Sequence, residues 1–181
     1  MTRQFLFLTS SARPEGNALR LARHAAQAVT DPCRWIDLTQ PPLPPFHDLR
    51  PHFAPPTGPL ADLMQAMQVA TDIVFVAPIY WYALPAPAKL LLDHWSGWLD
   101  TPETGFADWA KGKRVHLITS RADPDPTVAD LPEAMLKRSI LWLGMHWAGA
   151  LHGIADAPGD ILSDKSAMAA AAQFLTAPKG P

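Results

Sequence analysis

Short apolar runs alternate with amphipathic segments along the chain. Residues 5–8 (FLFL) form the first run, and residues 72–77 and 115–118 form later ones, while the more mixed segments 33–38 and 146–151 also suit strands. A run of this length that contains β-branched residues is typical of a strand buried on both faces of a parallel sheet. The pattern therefore predicts five strands, the third of which ends at a proline that cannot donate a backbone hydrogen bond.

The segments between these runs have the spacing of helices. One apolar stripe of the first helix is formed by Ala18, Leu21, Ala22, Ala25 and Val29. Further helices are predicted at 60–67, 84–95, 130–143 and 163–175, while residues 96–113 are predicted to be irregular because glycines and prolines interrupt them. Residues 178–181 are expected to fray.

Two local signals bound the helix at 130–143. Asp130 and Glu133 have the spacing of a capping box, with Pro132 in the first turn. Gly144 suits the position that follows the last turn of a helix. The signals predict a helix that starts at Asp130 and ends before Gly144.

Strands that alternate with helices predict an α/β fold. Five strands with ligand loops after the first, third and fourth fit a flavodoxin-like, doubly wound parallel sheet of order 2-1-3-4-5, with helices on both faces. Residues 1–181 are predicted to form one domain. Residues 41–59 hold eight of the twenty prolines, which predicts an ordered covering loop. Its apolar anchors are expected to be Leu43, Phe46, Leu49 and Phe53.

The composition and charge of the chain limit the classes of function that it can have. The 181 residues are 48% hydrophobic and carry a formal charge of −2, which predicts a full core and no basic face for nucleic acid. Cys33 is the single cysteine, so we expect a reducing, cytoplasmic setting and an inert core thiol. No apolar stretch reaches membrane-spanning length, and we expect no membrane partner.

The first candidate site is the turn between the first strand and the first helix. Ser10, Ser11, Arg13, Gly16 and Asn17 lie in it. A helix N-terminus presents free backbone donors and the positive end of the helix dipole, and hydroxyl, amide and guanidinium groups add to them. The turn fits an anion site, although Ser and Asn are also common helix caps and Arg13 also suits a solvent-facing position.

The second candidate site is the loop after the third strand. Pro78 is followed by three consecutive aromatic residues, Tyr80, Trp81 and Tyr82. Ligands of an open α/β sheet bind at the carboxyl ends of its strands. One of these rings suits a core position, but three consecutive rings cannot all face inward. The loop therefore indicates a flat, conjugated ligand.

Both stretches resemble the NADPH-dependent FMN reductase family, a branch of the flavodoxin-like superfamily. Residues 11–18 (SARPEGNA) are similar to its phosphate loop, and residues 78–85 (PIYWYALP), followed by Lys89 and Asp93, are similar to its flavin-ring loop. The resemblance implies bound FMN, reduction by NADPH or NADH, and a small-molecule electron acceptor. It also implies a homodimer or homotetramer in which a partner subunit closes each flavin pocket.

The resemblance also implies which residues touch the cofactor. The phosphate would be held by Ser11, Arg13, Asn17 and the backbone of Gly16 and Ala18. The ring would be bordered by Pro78, Ile79, Tyr80, Trp81, Tyr82, Ala83 and Leu84. No catalytic side chain is implied, because the cofactor carries hydride transfer and the protein supplies position and electrostatics.

Two positions depart from the family pattern. Ala18 stands where relatives have Thr, and the loss of one neutral hydrogen bond costs about 1 kcal/mol of affinity. Ser120 and Arg121 stand where relatives often have glycines beside the ring. Arg121 is expected to face the flavin O2 edge, the NADPH phosphate or solvent.

Other chemistries fit the sequence less well. The seven histidines form no His-Glu-x-x-His zinc pattern. Ser11 lacks the flanking glycines of a nucleophile elbow, since Thr9 and Arg13 occupy those positions. Two rival functions stay open beside the reductase: a flavodoxin-type electron carrier without NAD(P)H activity, and a flavodoxin-like binding module without FMN.

Overall fold

The chain, described over residues 2–176 by a computed structural model, forms a five-stranded sheet flanked by helices. The strands are β1 (Phe5–Thr9), β2 (Cys33–Asp37), β3 (Asp72–Pro78), β4 (Arg114–Arg121) and β5 (His146–Ile154). The helices are α1 (Asn17–Ala26), α2 (Gly58–Val69), α3 (Ala86–Leu99), α4 (Phe106–Trp109), α5 (Asp130–Trp142) and α6 (Lys165–Phe174). Residues 178–181, which were expected to fray, lie outside the described residues.

All strand pairs are parallel and the order is β2-β1-β3-β4-β5. This order confirms the predicted flavodoxin-like, doubly wound sheet. β1 pairs with β2 on one side and with β3 on the other, so the chain changes winding direction between β1 and β3. The loops that follow these two strands leave a crevice at the carboxyl edge of the sheet.

Side chains of successive strand residues pack alternately into two separate cores, one on each face of the sheet. On β1, Leu6 and Leu8 pack under α2, α3 and α5, whereas Phe5 and Phe7 pack under α1 and α6. Because strand side chains alternate between faces, a strand covered on both sides must be apolar at every position. This explains why the predicted strands lack a polar face.

The proline-rich segment packs onto α3. Phe46 and Phe53 stack with ring centroids 6.1 Å apart, and His94 Nε2 lies 2.8 Å from the Pro44 carbonyl oxygen. A Cβ at Gly97 would lie 3.0 Å from the Phe53 ring, so this glycine makes room for the loop. Leu49 was expected to be an anchor, but it is exposed. That prediction was wrong.

Several boundaries differ from the predictions because tertiary packing overrides local signals. α3 continues through Gly97 to Leu99, where we expected an irregular segment. α5 starts after a short 3₁₀ turn, and Asp130 caps no amide because it already lies within the helix. The predicted capping box is therefore absent, whereas Gly144 has the predicted left-handed conformation with φ 72°.

Cys33 was predicted to be a core thiol, but it is exposed on the edge strand β2. An edge strand is paired on one side only, and the helices leave this one uncovered. Partial burial and the nearby Asp31 raise the pKa of the Cys33 thiol, which disfavours the thiolate at neutral pH.

The amino-terminal edge of the sheet is fixed by one buried carboxylate, Asp72. Arg3 and Arg114 each donate two hydrogen bonds to it, at 2.6–3.2 Å, and Thr71 Oγ1 donates a further one at 2.6 Å. His116 Nε2 lies 3.1 Å from the same carboxylate. Burial alone would raise the pKa of Asp72, but these hydrogen bonds outweigh it and hold the pKa far below its usual range.

We predict that Asp72→Asn destabilises the fold by roughly 3–5 kcal/mol at pH 7, because it leaves the surrounding cations without a counter-ion. The native pKa of Asp72 is depressed, so its stabilisation is present above the unfolded pKa of about 3.9 and is lost as pH falls below it. Urea denaturation between pH 3 and pH 7 measures both effects.

Asp48→Asn is the matched control, since Asp48 pairs with Arg50 on the surface. An exposed pair contributes about 0–1 kcal/mol, so this variant should unfold close to wild type. Equal urea midpoints for the two variants would contradict a central role for Asp72.

Candidate functional site

The turn between β1 and α1 is folded around Ser11. Its Oγ accepts a hydrogen bond from the Arg13 amide at 3.1 Å and lies 3.1 Å from the Arg13 carbonyl oxygen. A Cβ at Gly16 would lie 3.0 Å from Ser11 Oγ and 3.3 Å from the Arg13 oxygen. Glycine is therefore required where the turn passes closest to itself.

The N-terminus of α1 provides free backbone donors at this turn. Its first helical hydrogen bond runs from the Arg20 amide to the Gly16 oxygen at 3.0 Å. No side chain caps the helix and its first turn contains no acidic residue. The amides of residues 17–19 are thus available to an anion, in the positive end of the helix dipole.

Asn17 was expected to contact a phosphate through its side chain. In the structure this side chain is buried and bridges to the loop after β5. Nδ2 donates to the Ala157 oxygen at 3.0 Å, and Oδ1 accepts from the Gly159 amide at 2.9 Å. The side chain of Asn17 therefore ties two loops of the site together, while its backbone amide faces the turn. Ala18 directs its methyl group into the core under α1 and offers only its amide.

The loop after β3 is a tight hairpin. Tyr80 and Ala83 exchange two backbone hydrogen bonds of 3.0 Å, and the central residues Trp81 and Tyr82 have positive φ angles of 50° and 60°. This is the backbone of a type I′ turn, which disfavours bulky residues. Tyr80, Trp81 and Tyr82 are 45%, 94% and 55% exposed, so all three rings face outward.

The residues at the end of β4 complete the edge. Residues 119–121 were predicted to lie in a loop, but they continue the strand, because Ser120 pairs with Pro78 and Arg121 pairs with Ile154. The Ile79 amide also donates to the Ser120 oxygen at 2.9 Å. This pairing fixes the aromatic hairpin to β4.

Most of the predicted residues line one cavity of about 210 Å³ at this edge. The predicted residues on its wall are Ser11, Arg13, Gly16, Asn17, Pro78, Ile79, Tyr80, Ser120 and Arg121. Leu84 is buried in the core instead, and Trp81, Tyr82 and Ala83 lie outside the cavity wall. The two candidate segments, which are distant in the sequence, therefore meet at the same cavity.

Two wall residues were missed, Ala155 and Asp156, and Ala122 lines the wall next to the predicted Ser120 and Arg121. Asp156 follows β5, which we expected to end at Leu151 but which runs to Ile154. The predicted parallel topology already indicated that residues after β5 reach the site, since the carboxyl end of every parallel strand lies at the same edge of the sheet. The apolar pattern weakens after Leu151 because β5 is a half-covered edge strand.

The fold and cavity agree with comparisons to known proteins. A protein family described as having a flavodoxin-like fold matches residues 3–176 of the chain. The chain belongs to this flavodoxin-like family. A Bacillus subtilis (strain 168) protein, YwqN, is 29% identical over 173 residues, which cover 93% of this chain and 94% of that protein. The name of YwqN provisionally describes it as an NAD(P)H-dependent FMN-containing oxidoreductase.

Solved structures show the same fold. The Trp repressor binding protein of Bacillus subtilis has a TM-score of 0.78 at 21% identity and covers 98% of this chain and 100% of its own. An NAD(P)H:quinone oxidoreductase from Methanothermobacter marburgensis has a TM-score of 0.65 at 14% identity, and the match covers 99% of this chain and 100% of that protein. An azoreductase from Bacillus anthracis str. Sterne has a TM-score of 0.64 at 15% identity, and the match covers 94% of this chain and 97% of that protein.

Two grooves that are larger than this cavity lie beside α3 on this flavodoxin-like chain. One, of about 420 Å³, lies between α3 and α5, and another, of about 580 Å³, lies between α3 and the start of the proline-rich loop. Both are lined mainly by apolar side chains and lie away from the N-terminus of α1. They lack the anion donors and the tyrosine that converge on the smaller cavity.

One polar chain near the sheet was not predicted. His152 Nδ1 lies 2.8 Å from Thr119 Oγ1, and His152 Nε2 lies 2.9 Å from Glu133 Oε2. Thr119 is fully buried, so this chain joins β4, β5 and α5 without opening into the cavity. Over residues 2–176, no group of three His, Cys, Asp or Glu side chains is arranged to hold a metal ion, and no helix is long and apolar enough to cross a membrane.

We predict that Asn17→Ala destabilises the fold by about 1–3 kcal/mol, because it leaves the Ala157 oxygen and the Gly159 amide without their partner. Chemical denaturation of the protein without cofactor measures this loss. Arg13→Ala, which removes an exposed side chain of the same turn, should stay within about 0.5 kcal/mol of wild type. A wild-type denaturation curve for Asn17→Ala would show that the bridge does not hold the loops.

Proposed function

We propose that this flavodoxin-like protein is an FMN-dependent NAD(P)H oxidoreductase that passes electrons to a quinone, a flavin or a similar small acceptor. The observation that carries the proposal is the convergence of an uncapped helix N-terminus and a tyrosine-bearing hairpin on one cavity at the switch point of the sheet. A phosphate and a planar ring are the two chemical parts of FMN. The provisional name of YwqN supports the same activity.

The residues fit this cofactor. The amides of residues 17–19, with Ser11 and Arg13, would hold the phosphate, because they offer donors in a first helical turn that contains no acidic residue. Ile79 and Tyr80 would border the ring from β3, and Ser120 and Arg121 from β4. FMN supplies the hydride-accepting chemistry when it is bound, and either NADH or NADPH would serve as the donor.

The protein contributes position and electrostatics. The type I′ hairpin is fixed by its own two backbone hydrogen bonds and by the Ile79 amide, so its ring-bearing residues are preorganised. Exposed aromatic surface beside the cavity is suited to stacking with nicotinamide or with an aromatic acceptor. No proton-transfer side chain is required for hydride transfer between two stacked rings.

The activity test is anaerobic reduction of the FMN-reconstituted protein by NADPH and by NADH, followed by its visible spectrum. We expect the flavin absorbance to bleach and to return when a quinone is added. A flavin that only dithionite reduces would assign the chain to electron carriers instead. A protein that binds no FMN would leave only the binding-module function.

Gly16→Ala is the variant that links this activity to the turn. Its methyl group would press on Ser11 Oγ and the Arg13 oxygen, and each lost hydrogen bond of about 1 kcal/mol weakens FMN binding roughly five-fold. Gly58→Ala is the control: it also strains a turn, with φ 56°, but its added Cβ meets nothing within 4 Å.

We also propose that the chain forms a homodimer through α5 and its groove with α3. Trp142 is 76% exposed and lies on the wall of this groove beside Leu92, Leu99 and Met135. An exposed apolar patch of this kind is typical of an association surface. A cavity of about 210 Å³ is also smaller than the 300 Å³ or more typical of whole-ligand sites, which fits a site completed by a partner subunit.

We predict that wild type sediments as a dimer or larger species at micromolar concentration and that Trp142→Lys sediments as a monomer, since a charge in an apolar contact is costly. Arg138→Ala, which changes the same groove without adding charge, should keep the assembly. A monomeric wild type would overturn this part of the proposal.

A further inference from the structure

Arg121 is a buried cation on the wall of the cavity. It stands at the carboxyl end of β4, and only 8% of its surface is exposed. Nε donates to the backbone carbonyl oxygen of Asp125 at 3.1 Å, and Nη2 donates to the backbone carbonyl oxygen of Pro124 at 3.1 Å. Two neutral carbonyl groups therefore hold the guanidinium in place without neutralising its charge.

No carboxylate oxygen within residues 2–176 lies within 4.0 Å of the Arg121 guanidinium. Its Nη1 makes no hydrogen bond to the described residues. The nearby Asp125 carboxylate accepts from the amide and hydroxyl of Thr127 at 2.9 and 2.8 Å. Asp164 accepts from the amides of Ile154 and Ala167 at 2.8 and 3.0 Å. Hydrogen bonds from neighbouring groups, and to a smaller extent the charge of Arg121 at longer range, lower the pKa of Asp125 and of Asp164.

Buried charges in proteins are normally paired. A fixed guanidinium with neutral partners and a free nitrogen, on the wall of a cavity, is therefore complementary to negative charge in that cavity. Under the proposed function, FMN itself offers two sources of that charge: its phosphate group and the flavin ring after reduction.

The sheet order separates these sources. The phosphate turn follows β1, whereas Arg121 ends β4, and β3 lies between them. Two strand spacings are about 10 Å, and the phosphate turn has donors of its own. Arg121 instead neighbours the hairpin that would border the ring, because the preceding residue, Ser120, accepts a hydrogen bond from the Ile79 amide at 2.9 Å.

We propose that Arg121 stabilises the negative charge that the FMN ring gains on reduction and thereby raises its midpoint potential. This inference rests on the proposed function. The hydride from nicotinamide carries two electrons and one proton, so the neutral ring gains one negative charge unless solvent supplies a second proton. A cation that is already in place stabilises this charge without reorganisation.

The test is the midpoint potential of bound FMN, measured by dithionite titration with reference dyes in wild type, Arg121→Gln and Arg121→Lys. We expect Arg121→Gln to reduce the preference for reduced over oxidised FMN at least ten-fold, a fall of about 30 mV for two electrons. Arg121→Lys should retain most of the wild-type potential. Arg13→Gln, at the phosphate turn, should weaken the binding of oxidised and of reduced FMN equally and therefore leave the midpoint potential unchanged.

The wild-type protein supplies a second readout if the variants do not fold. A ring that stays anionic takes up one proton per two electrons, so its potential should change by about 30 mV per pH unit near neutral pH, against about 59 mV for a ring that takes up two. A slope of about 59 mV, or an unshifted Arg121→Gln, would overturn the role of Arg121. Because dithionite supplies the electrons, either result stands apart from a failure of NAD(P)H to reduce the protein.

Discussion

The pairing of β1 with β2 on one side and β3 on the other is the constraint from which the site follows. The Leu38 amide donates to the Thr9 oxygen at 2.8 Å, and the Ser10 amide donates to the Val76 oxygen at 3.1 Å, so both neighbours hold β1 to its last residue. The chain must then leave the sheet toward α1, while the chain after β3 leaves toward α3. The crevice between these exits contains the anion-binding turn and the aromatic hairpin.

The two edges of the sheet handle polar groups in opposite ways. At the amino edge, the Asp72 carboxylate is saturated by Arg3, Arg114, Thr71 and His116, of which two lie in β4 and two lie just before β1 and β3. At the carboxyl edge, the amides of residues 17–19 and the guanidinium of Arg121 are held in place but left without anionic partners. The first arrangement stabilises the fold, and the second leaves donors for a ligand.

Each loop around the cavity is fixed by hydrogen bonds that leave other donors unused. Asn17 fixes the loop after β5, Arg121 fixes the loop after β4, and the paired backbone of Tyr80 and Ala83 fixes the hairpin. Groups that are already held lose little freedom when a ligand binds or gains charge. The site therefore combines rigid support with unused donors, which is the arrangement that a redox cofactor requires.

The sequence by itself determined the strands and the two segments that reach the cavity, because apolar periodicity and turn chemistry depend on near neighbours. The strand order was predicted from the fold that fits ligand loops after the first, third and fourth strands. It failed where a residue's partner lies far along the chain. The bridge from Asn17 to Gly159, the extension of β4 through Arg121 and the contact of His152 with Glu133 all depend on residues that are distant in the sequence. Only the tertiary structure shows that Arg121 is buried and forms no salt bridge with the described residues, since a guanidinium faces solvent or a cavity according to what packs around it.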